Sequence, residues 1–190
     1  MVLGIILLAI FLFVLSYVIL IYNNLVSLKH TVSKSWSNID VLLKQRHDEL
    51  PKLVDVCKEY MQYEQETLEK IVKARSAVMS ARSSGDVKGV GQAESALRMG
   101  LGSLFALAEN YPDLKANESF QQLHSRISQL ENGIADRREI YNEAVNNNNV
   151  RIEQFPDVIV ANVFNFKDFQ LLEFSEEEKR DVAMQSLFNS

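Results

Sequence analysis

Apolar side chains recur along this chain at spacings of three and four residues, as in helices that bury one face. The mean spacing is near 3.5 residues, typical of helix bundles and coiled coils. The first series is Val32, Trp36, Ile39, Leu43, Leu50, Leu53, Cys57, Tyr60, Ile71, Ala74 and Val78. This series predicts one long helix that the SSGD stretch, 83–86, interrupts.

Two further series predict two more long helices. The second is Val90, Leu97, Leu101, Leu104 and Ala108, and it ends at the turn ENYPDLKAN. The third is Phe120, Leu123, Ile127, Leu130, Ile134, Tyr141, Val145, Ile152 and Phe155, and it ends at Pro156. Asn117 or Ser119 can cap the third helix. Because no segment alternates with a period of two, we predict an all-α fold in which these helices form an antiparallel bundle.

The segment from Val2 to Ile21 precedes the bundle and carries no charged side chain. A helix of this length spans about 30 Å, the thickness of a bilayer core. A cleaved signal peptide would need a basic start and a small-residue cleavage site, and the chain shows neither. We therefore predict that residues 1–22 form a retained transmembrane anchor.

The charges near the anchor indicate its orientation. Lys29 and Lys34 follow the span before the first acid, Asp40, whereas no Lys or Arg precedes it. The positive-inside rule then favours a single-pass cell-membrane protein with its N-terminus outside and its body in the cytoplasm.

The chain after the anchor divides by composition into a bundle, 23–165, and an acidic, Phe-containing tail, 166–190. A short helix is expected from about Asp157 to Phe164, followed by an extended strap. The Phe cluster (164, 166, 169 and 174) either inserts into a membrane surface or packs back on the bundle, and we favour packing because anionic lipid repels an acidic tail.

Pro51 interrupts the first predicted helix chemically. It lacks the N–H that would bond to the carbonyl of His47, and its ring crowds that carbonyl. The apolar series keeps its phase from Leu43 to Leu53. We therefore predict a continuous helix with a kink at Pro51.

Composition and motifs point away from catalysis. The net charge of −5 gives no reason to expect nucleic acid as a partner. The lone Cys57 lies on the apolar side of its helix and is interpreted as a core residue. His47, Asp48 and Glu49 are consecutive on a helix and cannot converge on one ion. We predict no enzyme, no metal site and no cofactor.

Three residues stand out as interaction candidates. Arg46 and Arg137 are charged residues at apolar positions, and if buried they need carboxylate partners and could fix helix register. We favour an edge position for both, with the aliphatic stem covering apolar surface. Trp36 belongs either to the core, which we favour, or to an exposed face.

The assembled segments resemble the LemA family of bacterial membrane-anchored helical proteins. The resemblance rests on QRHDELPKLV, TLEKIVKARS, GSLFALAENYPDLKANESFQQL and YNEAVNNNNVRIEQFP, after an apolar N-terminal helix. It implies long antiparallel helices, an outside N-terminus and no established catalytic activity. Members of the family are associated with membrane organisation, including magnetosome formation, or with membrane-linked peptidases.

The sequence and the resemblance together predict a membrane-anchored interaction or scaffold protein. Its partners would be the lipid bilayer, unknown proteins and, if exposed apolar faces self-associate, a second copy. The alternatives are an adaptor or regulator of a membrane peptidase or envelope-stress system, and a hydrolase using His47 and nearby acids.

Overall fold

The computed structural model describes residues 1–174, and within them every regular element is an α-helix. The helices are α1 (Val2–Tyr60), α2 (Gln65–Ser84), α3 (Val87–Ala108), α4 (Pro112–Ala116), α5 (Glu118–Glu153) and α6 (Asp157–Val163). The all-α prediction is confirmed. The chain from residue 175 onward, which includes most of the predicted acidic tail, lies outside the described residues.

The chain packs as two compact units. One, here the anchor unit, contains Met1–Asn38 and Glu139–Gln170. The other, here the bundle unit, contains Ile39–Arg138 and the segment from Leu171. The two longest helices, α1 and α5, contribute residues to both units. The domain boundaries predicted at residues 22 and 165 remain predictions.

The core of the bundle unit is built from the predicted apolar series. Leu53 and Cys57 of α1, Ile71 of α2, and Leu97 and Leu104 of α3 are fully or almost fully buried in one cluster. Cys57 is therefore a core residue, as predicted, and burial raises the pKa of its thiol to about 12. Phe155 is a wrong assignment: it stands at the end of the third series but is 81% exposed, because α5 ends two residues earlier.

The first apolar series does not form one helix. α1 ends at Tyr60, and α2 begins at Gln65 after a short turn. Within that turn Met61 is buried, whereas Tyr63 is almost fully exposed. The polar positions Glu64 and Thr67 interrupt the series between Tyr60 and Ile71 and were the available signal for this break. The predicted single helix from Val32 to Val78 is therefore wrong at this point.

Local capping explains the other turns. Gly85 adopts a left-handed conformation (φ 70°) after α2, and the Asp86 carboxylate accepts a hydrogen bond of 2.9 Å from the Gly89 N–H at the start of α3. Asn117 caps α5 by accepting from the Phe120 N–H at 3.1 Å. Asn117 was one of the two caps predicted, and the SSGD turn was expected.

Candidate functional site

A charged cluster lies inside the bundle unit. The Arg46 side chain is 3% exposed and donates to both carboxylate oxygens of Glu94 and, at 2.6 Å, to Oε1 of Glu131. Burial alone would lower the pKa of the Arg46 guanidinium, but the two carboxylates outweigh burial and raise it above its ordinary value. Arg46, Glu94 and Glu131 thus join α1, α3 and α5 through one cation.

The edge interpretation is wrong for Arg46, which lies in the core, while Arg137 is exposed on α5. Arg46 can be buried because the carboxylates of Glu94 and Glu131 lie beside its guanidinium and supply the opposite charge. Glu94 continues the three-and-four spacing of the α3 series between Val90 and Leu97, so this spacing was the available signal for its burial. A buried cation with two carboxylates is better suited to fixing helix register than to chemistry, since both terminal nitrogens of the Arg46 guanidinium donate to carboxylates.

α1 continues as a helix through Pro51. A second polar contact lies four residues before this proline, at His47. The His47 carbonyl, which Pro51 deprives of its helical N–H donor, accepts a hydrogen bond of 3.0 Å from Arg75 Nε on α2. A second Arg75 nitrogen, Nη2, lies 2.8 Å from His47 Nε2. The proline therefore leaves a carbonyl oxygen on α1 available as a hydrogen-bond acceptor, and α2 packs against α1 with Arg75 donating to it. The kink itself remains a prediction.

The contact requires a neutral His47. A guanidinium only donates, so Nε2 must accept and the imidazole proton must lie on Nδ1. Partial burial and, after it, the positive charge of Arg75 lower the pKa of His47. Because the folded pKa is depressed, this contact is intact above the ordinary histidine pKa and is lost as pH falls through the lowered value.

We expect non-additive effects at Pro51 and Arg75. Arg75→Met should cost about 1–3 kcal/mol in the native chain, because it leaves the His47 carbonyl without a donor. In a Pro51→Ala chain the new alanine N–H can satisfy that carbonyl, so the same substitution should cost less. Denaturant unfolding of the two single variants and the double variant gives the coupling free energy.

The control for this cycle is Lys73→Met, an exposed position on the same helix. Lys73→Met should be additive with Pro51→Ala. If Arg75→Met lowers the free energy of unfolding equally in the native chain and in the Pro51→Ala chain, the proline does not create the site at which Arg75 binds.

A further ion pair links α1 to the end of α2. Arg82 donates from Nη2 to Asp40 Oδ2 at 2.8 Å, with a second contact from Nε to Oδ1. The hydrogen bond from Arg82 holds the pKa of Asp40 below its ordinary value. This pair is therefore intact at neutral pH and is lost only as pH falls through that lowered pKa.

Two side chains of the HDE stretch, 47–49, contact other residues of the bundle unit. Glu49 pairs with Lys52 at 2.9 Å, and His47 contacts Arg75. Within residues 1–174 no cluster of three or more His, Cys, Asp or Glu side chains could hold a metal ion.

In the anchor unit, Asn148 and Asn149 of the asparagine run 146–149 bind the strap, the segment that follows α6. Asn149 donates from Nδ2 to the Phe169 carbonyl at 2.9 Å and accepts from the Phe169 N–H at 3.0 Å. The Tyr141 hydroxyl donates to the Gln170 carbonyl at 2.9 Å. An amide side chain can donate to the backbone C=O and accept from the backbone N–H of one residue, which explains asparagine on this face. Sequence reasoning had assigned the asparagine run no role.

Trp36 is half-buried rather than a core residue. Its ring packs against Tyr141 with centroids 5.3 Å apart, and Tyr141 in turn holds the strap. The Trp36 side chain therefore supports the anchor unit while keeping part of its surface exposed.

The first helix is also the candidate membrane anchor. α1 contains one apolar segment long enough to cross a bilayer, and only 6% of that segment is buried. The predicted ends of the span differ in surroundings: Val2 is exposed, whereas Ile21 is 5% exposed because α6 packs on it.

Comparison with known proteins gives three relatives and a family. A model of the LemA family matches residues 35–185. The chain is 30% identical to protein LemA of Metamycoplasma hominis over 169 residues, covering 88% of this chain and 75% of that protein. It is 22% identical to magnetosome proteins MamQ 1 and MamQ 2 of Paramagnetospirillum magneticum, covering 77% of this chain but only 62% of theirs.

Proposed function

This chain belongs to the LemA family, and from that membership and its structure we propose that it is a single-pass membrane protein whose helical body holds partner proteins next to the bilayer without catalysing a reaction. The observation that carries the proposal is the continuity of α1. This helix leads from an exposed apolar segment into packed protein without a break.

The polar groups of the bundle unit support a structural role. Arg46, His47 and Asp40 are three polar side chains of α1 in the bundle unit. Each contacts a side chain on another helix, through Glu94, Arg75 and Arg82 respectively. These contacts join helices, and a helix assembly of this kind is suited to presenting a fixed surface to partners.

For the orientation, the N-terminus lies outside and the body in the cytoplasm. Lys29 and Lys34 follow the span, and positively charged residues at one end of a span favour a cytoplasmic position for that end. The names of the two magnetosome relatives support a role in membrane organisation by analogy.

The test uses the full chain with Tyr63→Cys, since Tyr63 is 94% exposed. A membrane-impermeant maleimide should leave the introduced thiol unlabelled in intact cells and label it after permeabilisation. A permeant maleimide carrying a photoreactive group should then capture cytoplasmic or membrane proteins at this position. Labelling in intact cells would contradict the orientation, and recovery of abundant bystanders alone would contradict the holding role.

The native chain supplies the control. Its Cys57 is buried, and the raised pKa of that thiol leaves little thiolate, so the wild type should stay unlabelled until it is denatured. A second variant with Leu8→Lys and Leu12→Lys should not insert, since each lysine costs about 2.5–3.5 kcal/mol near the centre of a span. Partner capture that survives in this variant would show that the anchor is dispensable. Capture of one membrane peptidase alone would favour the adaptor alternative.

A further inference from the structure

α6 packs on the end of the anchor. Ile21 and Leu25 of α1 form one buried cluster with Val160 and Ala161 of α6, and Val18 packs against the same cluster. The Tyr22 ring lies 4.7 Å from the Phe164 ring and 5.9 Å from the Phe166 ring. The helix α6 is therefore fixed beside the last turn of the apolar segment and the first turn after it.

The outer side of α6 is apolar and exposed. Ile159 and Val163 are one helical turn apart and therefore lie on the same side of α6. Phe155 before the helix and Phe164 after it are also exposed. These four residues are here called the α6 apolar face.

No charge would have to be desolvated if this face met lipid. Between Phe155 and Phe166 the chain carries one charged residue, Asp157. Its side chain is 3% exposed and is paired with Arg151. The exposed residue between Ile159 and Val163, Asn162, is uncharged.

We propose that the α6 apolar face lies in the headgroup–acyl boundary of the bilayer and forms a second membrane contact beside the anchor. This inference rests on the proposed anchoring of residues 2–21. It assigns to α6 the position of an interfacial element, which lies in the membrane surface rather than across it.

The depth of the anchor favours lipid over other occupants. Val18 lies three residues before the end of the predicted span, or roughly 4.5 Å inside it at 1.5 Å per residue. If residues 2–21 fill the hydrocarbon core, the cluster that covers Val18 and Ile21 lies at the bilayer boundary. The exposed side of α6 then meets lipid at a depth where apolar and aromatic side chains are stabilised.

The experiment places single tryptophans in the full chain. Trp36→Phe removes the native tryptophan, and Ile159→Trp or Val163→Trp then reports on the α6 apolar face in phosphatidylcholine vesicles. We expect emission shifted to the blue and stronger quenching by lipids brominated near the headgroup than near the bilayer centre. Two positions are used so that a fold perturbed at one of them, detected by circular dichroism, leaves the other to decide.

Two reference tryptophans separate this proposal from the anchor. Leu12→Trp, in the middle of the span, should be quenched best by bromines near the bilayer centre. Tyr63→Trp should emit as in water and stay unquenched. If position 12 is quenched and positions 159 and 163 are not, the second contact is overturned while the anchor stands. If position 12 is also unquenched, the anchor and the proposed function fail together.

A second copy is the alternative occupant that the same data detect. Blue-shifted emission at positions 159 and 163 without bromine quenching, increasing with the protein-to-lipid ratio, would show that another chain covers the face. This outcome would overturn the lipid contact.

Discussion

Replacement of Arg46 by methionine is expected to destabilise the bundle unit by about 3–5 kcal/mol. Methionine fills a similar volume but leaves the Glu94 side chain, which is 2% exposed, as a buried charge without its cation. The free energy lost is chiefly the cost of burying that carboxylate without the Arg46 cation. Denaturant unfolding of the full chain in detergent micelles, followed by circular dichroism, measures it.

Arg137→Met is the matched control, because Arg137 is exposed on α5 and is also an arginine at an apolar-series position. It should change the unfolding free energy by no more than about 0.5 kcal/mol.

The triple variant Arg46→Met, Glu94→Leu, Glu131→Gln should recover much of the loss, since it removes the stranded charges. If Arg46→Met unfolds no more easily than Arg137→Met, the buried cluster does not stabilise the fold as described.

Gly91→Ala is expected to displace the strap from α3. A Cβ at this position would lie 2.0 Å from the Glu173 carbonyl oxygen, closer than two non-bonded heavy atoms can approach. Because that oxygen belongs to the backbone, the segment 171–174 must move. The movement exposes Leu172, now 1% exposed, and separates Phe174 from the Arg138 guanidinium, now 3.9 Å from its ring centroid.

Two opposing contributions set how far Gly91→Ala changes the free energy of unfolding. Alanine favours the helix over glycine by about 1 kcal/mol. Loss of a buried leucine costs about 1.5–3 kcal/mol. We therefore expect net destabilisation, with faster amide hydrogen exchange and faster proteolysis confined to the strap.

Gly102→Ala provides the comparison on the same helix. Its added Cβ meets no atom within 4 Å, so only the helix-propensity gain should remain and the variant should be as stable as the wild type or more so. Unchanged exchange in the strap of Gly91→Ala would show that the strap does not approach α3 this closely.

The buried helical faces follow from the sequence because they depend on local periodicity. Leu53, Leu97 and Ile127 belong to different apolar series, and all three are buried as predicted. The cap at Asn117 and the short helix after Pro156 were also predicted, since capping and proline effects act within a few residues.

The break between α1 and α2 could be missed because no Gly or Pro stands at residues 61–64. The chain turns there with Met61 buried and Tyr63 exposed. A turn of this kind depends on what α2 packs against, since its residues carry no turn signal of their own. The polar Glu64 and Thr67 were the only local sign of it.

The sequence by itself determined the all-helical fold, most of the buried helix faces, the apolar anchor segment and the family. The tertiary structure decided what the polar residues do. Arg46 is a core cation because Glu94 and Glu131, 48 and 85 residues away, meet it. Pro51 matters because Arg75 uses the acceptor it exposes. Helix periodicity is a short-range property, whereas the partner of a buried charge or a freed carbonyl is set by packing between segments distant in the chain.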